Sequence, residues 1–291
     1  MKIRSWRFAG ITGAAIALVA VGVIFAQLPA LAAGGLLHPL RLHSRKPTPI
    51  ACEDVRFAGA GVALQGWRCK AQKDRRGTLV YLHGVADNRG SGAGVVRRFV
   101  NRGFDVIAYD SRAHGDSGGD ACTYGYFEKE DLRRVLDTVP SGPVVLLGTS
   151  LGAAVALQEA ADDPRVSAVV AAETFSDLRT IARHRAPFFL PEPTIRKAFS
   201  MAEAQGRFEV AAVSPVAAAS RITVPVLLIH GQLDGDTPPE HSMRVFAALR
   251  GPKRLILVPG ARHNQSLAGD DVWREIEAWI DDNAGPPALN P

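Results

Sequence analysis

Apolar and polar positions along this chain fall into two repeating patterns. Short, nearly uninterrupted apolar runs occur at Gly77 to Leu82, Phe104 to Tyr109, Val144 to Thr149, Val166 to Ala172, Val224 to Gly231 and Lys253 to Val258. Such runs read as strands buried on both faces, the signature of a parallel sheet. After most of them comes a stretch with apolar residues at helical spacing: Ser91 to Arg102, Glu128 to Val139, Leu151 to Ala161, Pro239 to Arg250 and Asp271 to Asp282. Strand followed by helix, repeated, predicts an α/β fold with right-handed crossovers. Ahead of this series, Ala51 to Phe57 and Val62 to Cys69 alternate with period two around Gly59 to Gly61, which predicts an antiparallel hairpin.

The hairpin carries a covalent consequence. Centred near Ala60-Gly61, it pairs residues whose numbers sum to about 121, so Phe57 faces Leu64 and Cys52 faces Cys69. Facing cysteines at a non-hydrogen-bonded pair come close enough for a disulfide in an oxidising compartment. A slip of one residue would instead send the two side chains to opposite faces and leave three unlinked thiols, Cys122 included.

Candidate chemistry is concentrated at Val144 to Leu157, where an apolar strand runs into Gly148-Thr149-Ser150-Leu151-Gly152 and then an Ala-rich helix. A strand-to-helix turn this tight strains its apex residue and leaves no room for side chains at the two glycines. The Ser150 hydroxyl is pushed out at the helix start, where the Leu151 N–H points at any oxygen held nearby. Upstream, the strand from Gly77 ends in His83-Gly84. Downstream, the strand Val224 to Gly231 leads into Gln232-Leu233-Asp234-Gly235-Asp236-Thr237-Pro238, and the last strand leads to Pro259-Gly260-Ala261-Arg262-His263-Asn264.

From about Val55 to Trp279, these motifs in the order Ser, Asp, His resemble the α/β-hydrolase superfamily, in particular its membrane-anchored, esterase-like members with a small cap. The turn Asp110-Ser111-Arg112-Ala113-His114-Gly115-Asp116-Ser117-Gly118 resembles the family's D-x-R-G-x-G-x-S-x-G landmark, with Ala113 where the first glycine is usual. The resemblance implies an eight-stranded, mostly parallel sheet flanked by helices, with a small cap inserted before the strand that carries the catalytic acid. It implies Ser150 as nucleophile, His263 as general base, Asp234 as the acid from H-G-x-x-D-x-x-x-P, and the Val85 N–H, after the His83-Gly84 strand end, as the second oxyanion donor beside Leu151. Asp236 is equally able to reach a histidine if the loop is shifted. A serine hydroxyl becomes a nucleophile when an imidazole takes its proton, and the carboxylate fixes the imidazole tautomer. Of the remaining histidines, His43, His83, His230 and His241 read as structural, and only His114 and His184 as conceivable neighbours of the site.

The segment 174–222 is too long for a plain crossover and reads as the cap. Its prolines at 187, 191 and 193 interrupt any helix there, and Phe188 and Phe189 present either an apolar wall over an acyl pocket or ordinary packing. The expected reaction is hydrolysis of a carboxylic ester or thioester, with a small-molecule or lipid-like acyl ester as substrate and no cofactor or metal. The alternative is a serine peptidase or aminopeptidase, for which Glu173, Glu192 and Glu203 are candidates to receive a substrate amine. A catalytically silent binding protein would have no need of all three triad residues.

Composition narrows the classes further. With 291 residues, 22% of them charged, the chain suffices for one catalytic domain at 51–285 and is not a disordered one. The net charge of +5 comes mostly from arginines scattered through helices, such as Arg97, Arg98 and Arg102, and aromatics are only 7%, so a nucleic-acid face is not expected. Lys2, Arg4 and Arg7 precede an uncharged stretch from Phe8 to Leu37, whose most apolar part, Ile11 to Leu28, is as long as a membrane span. Residues 1–37 therefore read as an uncleaved anchor, or as a signal peptide cut after Ala30-Leu31-Ala32. Arg41, Arg45 and Lys46 answer the N-terminal positives on the other side, so charge does not set the orientation; cleavage or an anchor with its N-terminus inside puts the catalytic domain outside the cytoplasm. His38 to Pro49 reads as an extended linker over 38–50.

Overall fold

The computed structural model describes residues 22, 25–45, 47–49 and 52–284. Its centre is one eight-stranded sheet in the order β1-β2-β4-β3-β5-β6-β7-β8. The strands are β1 Cys52–Ala58, β2 Ala63–Cys69, β3 Gly77–Leu82, β4 Phe104–Tyr109, β5 Val144–Thr149, β6 Val166–Ala172, β7 Val226–Gly231 and β8 Lys253–Val258. β1 and β2 are antiparallel, β2 meets β4 antiparallel, and every later pairing is parallel. Burial follows position: β3 and β7 are buried at all six positions, whereas the edge strands β1 and β8 expose residues.

The hairpin register sets Phe57 opposite Leu64 and Cys52 opposite Cys69, and the two cysteine sulfurs are joined as a disulfide. Cys122 is a free, buried thiol.

Helices cover both faces. On one lie α2 Ala93–Val100 and α9 Asp270–Asn283; on the other lie α3 Glu128–Leu136 and α4 Leu151–Ala160. α4 is buried at nine of its ten positions, which its Ala-rich composition allows because small side chains let the helix lie close to the sheet. α2 buries Val95, Val96, Phe99 and Val100. Its arginines form an ion-pair seam: Arg98 bonds Asp270 at 2.7 Å, and Arg102 bonds Asp281 at 2.9 Å. The scattered positive charge thus joins neighbouring helices.

Between β6 and β7 the chain forms α5 Leu178–Arg185, α6 Glu192–Gly206, a short 3-10 turn at Val210–Ala212 and α7 Pro215–Ala219. α7 packs on α4 and α8 (Glu240–Ala248), so it belongs to the sheet layer, and the raised part of the insertion is α5 and α6.

The N-terminal region departs from expectation. Residues 25–37 are helical (α1), and their last turns dock on the domain: Ala33 and Leu37 are buried in the core, Leu37 O accepts the Cys122 N–H at 2.8 Å, and Leu36 O accepts the Tyr124 hydroxyl at 3.0 Å. The folded unit therefore begins before residue 37. The described residues that follow have no regular secondary structure, but they are not a free linker. Arg41 donates to Ser117 O at 2.7 Å and to Gly119 O at 2.6 Å, and Asn88 donates to Leu42 O at 3.0 Å. Most of Ile11 to Leu28 lies outside the described residues; among those described, no helix is long and apolar enough to cross a membrane.

Candidate active site

The carboxyl ends of β3, β5, β6, β7 and β8 converge on one cavity of about 940 Å³, where a parallel sheet presents its loops. Ser150 sits at the turn from β5 to α4 with φ 49° and ψ −111°, a conformation L residues rarely adopt. Steric closure enforces it. A Cβ at Gly148 would collide with the Gly152 carbonyl, and one at Gly152 would collide with the Leu82 carbonyl of β3. Ser150 N–H donates to Ala172 O at 2.8 Å, tying the apex to β6. Gly84 passes so close that a Cβ there would lie 3.5 Å from the Ser150 Cβ, which brings Val85 to the cavity wall beside the serine. Leu151 is the first residue of α4, so its N–H is free of the helix ladder.

The histidine is oriented from behind. His263 lies in the loop after β8, and its Nδ1 is 2.7 Å from Asp234 Oδ2. Because a carboxylate only accepts, Nδ1 carries the hydrogen and Nε2 keeps a lone pair. Asp234 is itself buried. Burial opposes its charge, but hydrogen bonds from His230, His263 and the Thr237 N–H outweigh that and hold its pKa below the ordinary carboxylate range. Asp236 donates its N–H to Asp234 Oδ1 at 3.0 Å and is exposed on the cavity rim. The loop register therefore turns Asp234 inward and Asp236 outward.

Two supporting residues were not legible as such in the sequence. His230 is fully buried, with Nε2 2.7 Å from Thr237 O and 3.2 Å from Asp234 Oδ2. A carbonyl only accepts, so Nε2 carries the hydrogen, and the ring clasps both ends of the acid loop. Its spacing four residues before Asp234 was the available signal. Glu173 follows β6 with φ 56° and is 1% exposed. Its carboxylate accepts the N–H of Asn264 at 2.6 Å and of Ser266 at 3.0 Å, which clamps the chain on either side of position 265, directly after His263.

Of the three acidic candidates to receive a substrate amine, Glu173 lines the cavity, with each oxygen already accepting one backbone N–H. Glu192 pairs with Arg183 on the outer surface, and Glu203 accepts the Val210 N–H at 3.0 Å, so neither faces the cavity. Donor atoms of Glu173, Asp234 and His263 do lie within 4.8 Å of one another, close enough to surround a cation. Each carboxylate already accepts the hydrogen bonds described, so the cluster is organised as a hydrogen-bond network.

Phe188 and Phe189 form no pocket wall. They are 100% and 62% exposed and pack edge-to-face on each other at 5.7 Å. α5 ends at Ala186 in extended backbone, and Pro187 and Pro191 bracket a tip that swings the two rings outward. His114 is buried under the site against His83, with ring centroids 5.2 Å apart, and does not line the cavity. His184 does line it, with Nε2 3.0 Å from Gly235 O.

Residues 77–192 match the α/β hydrolase fold family, and residues 137–286 match the prolyl oligopeptidase family. The chain is 31% identical over 216 residues to the uncharacterized protein YqkD of Bacillus subtilis, covering 71% of this chain and 70% of that one. It superposes on an esterase of Pyrococcus furiosus with a TM-score of 0.70 at 24% identity, covering 86% of this chain and 99% of the esterase. An acylaminoacyl peptidase of Pyrococcus horikoshii superposes with a TM-score of 0.62 at 13% identity, over 82% of this chain and 43% of the peptidase. At these identities the two structures establish a common fold.

Proposed function

The chain belongs to the α/β-hydrolase superfamily, and from that premise we propose that it is a serine hydrolase cleaving carboxylic esters through Ser150, His263 and Asp234. The chief support is one cavity holding a strained Ser150 together with a His263 whose Nδ1–H is committed to a buried Asp234. In the first step Ser150 Oγ bonds to the ester carbonyl carbon while His263 Nε2 takes the hydroxyl proton. The oxyanion accepts hydrogen bonds from the N–H groups of Val85 and Leu151. Collapse breaks the bond to the leaving oxygen, to which His263 returns the proton, and an acyl-enzyme remains. Water then repeats the sequence, releasing the acid and restoring Ser150. Asp234, held in its ionised form, balances the imidazolium formed in each half.

A fluorophosphonate probe is expected to label the wild-type protein at Ser150 and to leave Ser150→Ala unlabelled. Absence of label on folded wild type, or equal label on the variant, would overturn the proposal. The match to the prolyl oligopeptidase family supports a second reading, amide-bond cleavage by the same groups. Hydrolysis of p-nitrophenyl butyrate faster than of aminoacyl-p-nitroanilides favours the esterase, and the reverse order favours the peptidase. The length and apolarity of the N-terminal stretch are the support for attachment to a membrane, and an N-terminus on the inside would place the catalytic domain outside the cytoplasm. Activity should then sediment with membranes and resist alkaline carbonate, whereas a mature protein starting at Ala33 would make the enzyme secreted.

A further inference from the structure

A second cavity, of about 430 Å³, lies next to the catalytic one and is lined mainly by apolar groups, where the catalytic cavity is lined by polar and apolar groups alike. Ala33 and Leu36 of α1, Ile181 and Ala182 of α5, and Ile195 and Ala198 of α6 line it. Its polar groups are few and largely engaged: the Tyr124 hydroxyl donates to Leu36 O, and Arg185 directs its guanidinium to Asp236 O and Thr237 Oγ1. Val85, Ala86 and Arg185 line both cavities, so the two share a wall at the candidate oxyanion donor.

Stereochemistry assigns the two cavities to the two halves of a substrate. With the carbonyl oxygen on the Val85 and Leu151 N–H groups and its carbon at Ser150 Oγ, the leaving oxygen must face His263, which gives it a proton. The acyl chain then points to the side away from His263. His263, Asn264 and Ser266 belong to the catalytic cavity alone, and the apolar chamber begins at Val85 and Ala86. The chamber's volume falls in the range of ordinary small-ligand sites, and an apolar, poorly hydrated space of this kind gains free energy from alkyl burial.

We infer that this chamber binds the acyl chain of the substrate, making the preferred substrate a medium- or long-chain fatty acyl ester of a polar alcohol, and making α1 a wall of the binding site. The inference rests on the esterase reading and adds the substrate class and the part played by the N-terminal helix. α1 is thereby more than an attachment segment. Its position between the core and the cap lets it set how deep the chamber is.

The test uses the full chain and p-nitrophenyl esters from acetate to palmitate. Wild-type kcat/KM should rise with chain length, by up to about fourfold per methylene, until the chamber is filled. Ala182→Trp and Ala198→Trp fill the chamber from two different helices, and each should lower the laurate-to-acetate ratio of kcat/KM at least tenfold. Ile195→Ala enlarges it and should move the optimum to longer chains, so the outcome does not hang on a variant that folds poorly. Circular dichroism and melting temperature report folding. A flat chain-length series, or a ratio unmoved in folded tryptophan variants, would overturn the inference while Ser150 labelling left the esterase reading intact. Calorimetric titration of laurate into Ser150→Ala, with and without Ala182→Trp, separates the two claims. Loss of laurate binding only in the double variant supports the chamber, even in a protein that hydrolyses no ester, and equal binding by both refutes it.

Discussion

The floor of the site and its roof are built by different physics. The floor consists of strand ends and the loops of Ser150, Asp234 and His263. Backbone contacts that admit no side chain hold it, along with hydrogen bonds donated by His230 and accepted by Glu173. The roof is α5, α6 and the Phe188-Phe189 tip. There the polar contacts are half-exposed, as in Arg183–Glu192, and the rest is apolar packing around a chamber. A catalytic constellation tolerates little misplacement, whereas a chain-binding space needs only volume and apolarity. Under the proposed function, the floor carries the chemistry and the roof the selectivity.

The largest expected effect tests whether the floor is as specific as its hydrogen bonds. Asp234→Asn should lower kcat by about 10⁴-fold, because the amide no longer fixes the His263 tautomer, while Asp236→Asn should stay within a few-fold. Comparable losses in both would show that the loop register differs from the one described. Stability against pH is the next probe. Burial and then the neighbouring His83 push the pKa of His114 down to about 4. Its unfolded value is about 6.5, so between those limits the unfolded chain binds the extra proton. Stability is therefore intact above pH 6.5 and falls as the pH drops toward 4, by about 3 kcal/mol from this residue alone. Thermal unfolding across that window should show the decline, and His114→Asn should flatten it; an equal slope in both proteins would remove His114 as the cause.

Glu173→Gln probes the clamp on the histidine loop. The amide turns an acceptor into a donor opposite a backbone N–H, so kcat should fall about 10²-fold with KM changed far less. Unaltered kcat would mean that the loop after His263 holds itself. The smallest effect belongs to the roof's outer surface. Phe188→Ser should change stability by under about 0.5 kcal/mol and leave chain-length preference alone, since the ring is fully exposed and packs on Phe189. A clear change in preference would return Phe188 to the binding site and blur the division between floor and roof.

What the sequence determined by itself was whatever local sterics and period dictate. Gly148 and Gly152 bracket Ser150 because only glycine fits between strand and helix. The apolar runs mark strands because burial on both faces leaves no polar position, and the hairpin count sets Cys52 opposite Cys69 because side chains alternate with period two. Ala113, standing where a glycine is usual, takes a φ of 60°, and the landmark turn keeps its shape. Only the tertiary structure decided matters that depend on what lies across space. It turned Asp234 toward His263 and Asp236 toward solvent, gave the buried carboxylate of Glu173 to the loop after His263, and faced Phe188 and Phe189 outward. It also folded Ala33 and Leu37 into the core and so made a chamber between segments well over a hundred residues apart in the chain. Period and composition describe a residue's own strand or helix, and a chamber or a clamp exists only where separate elements meet.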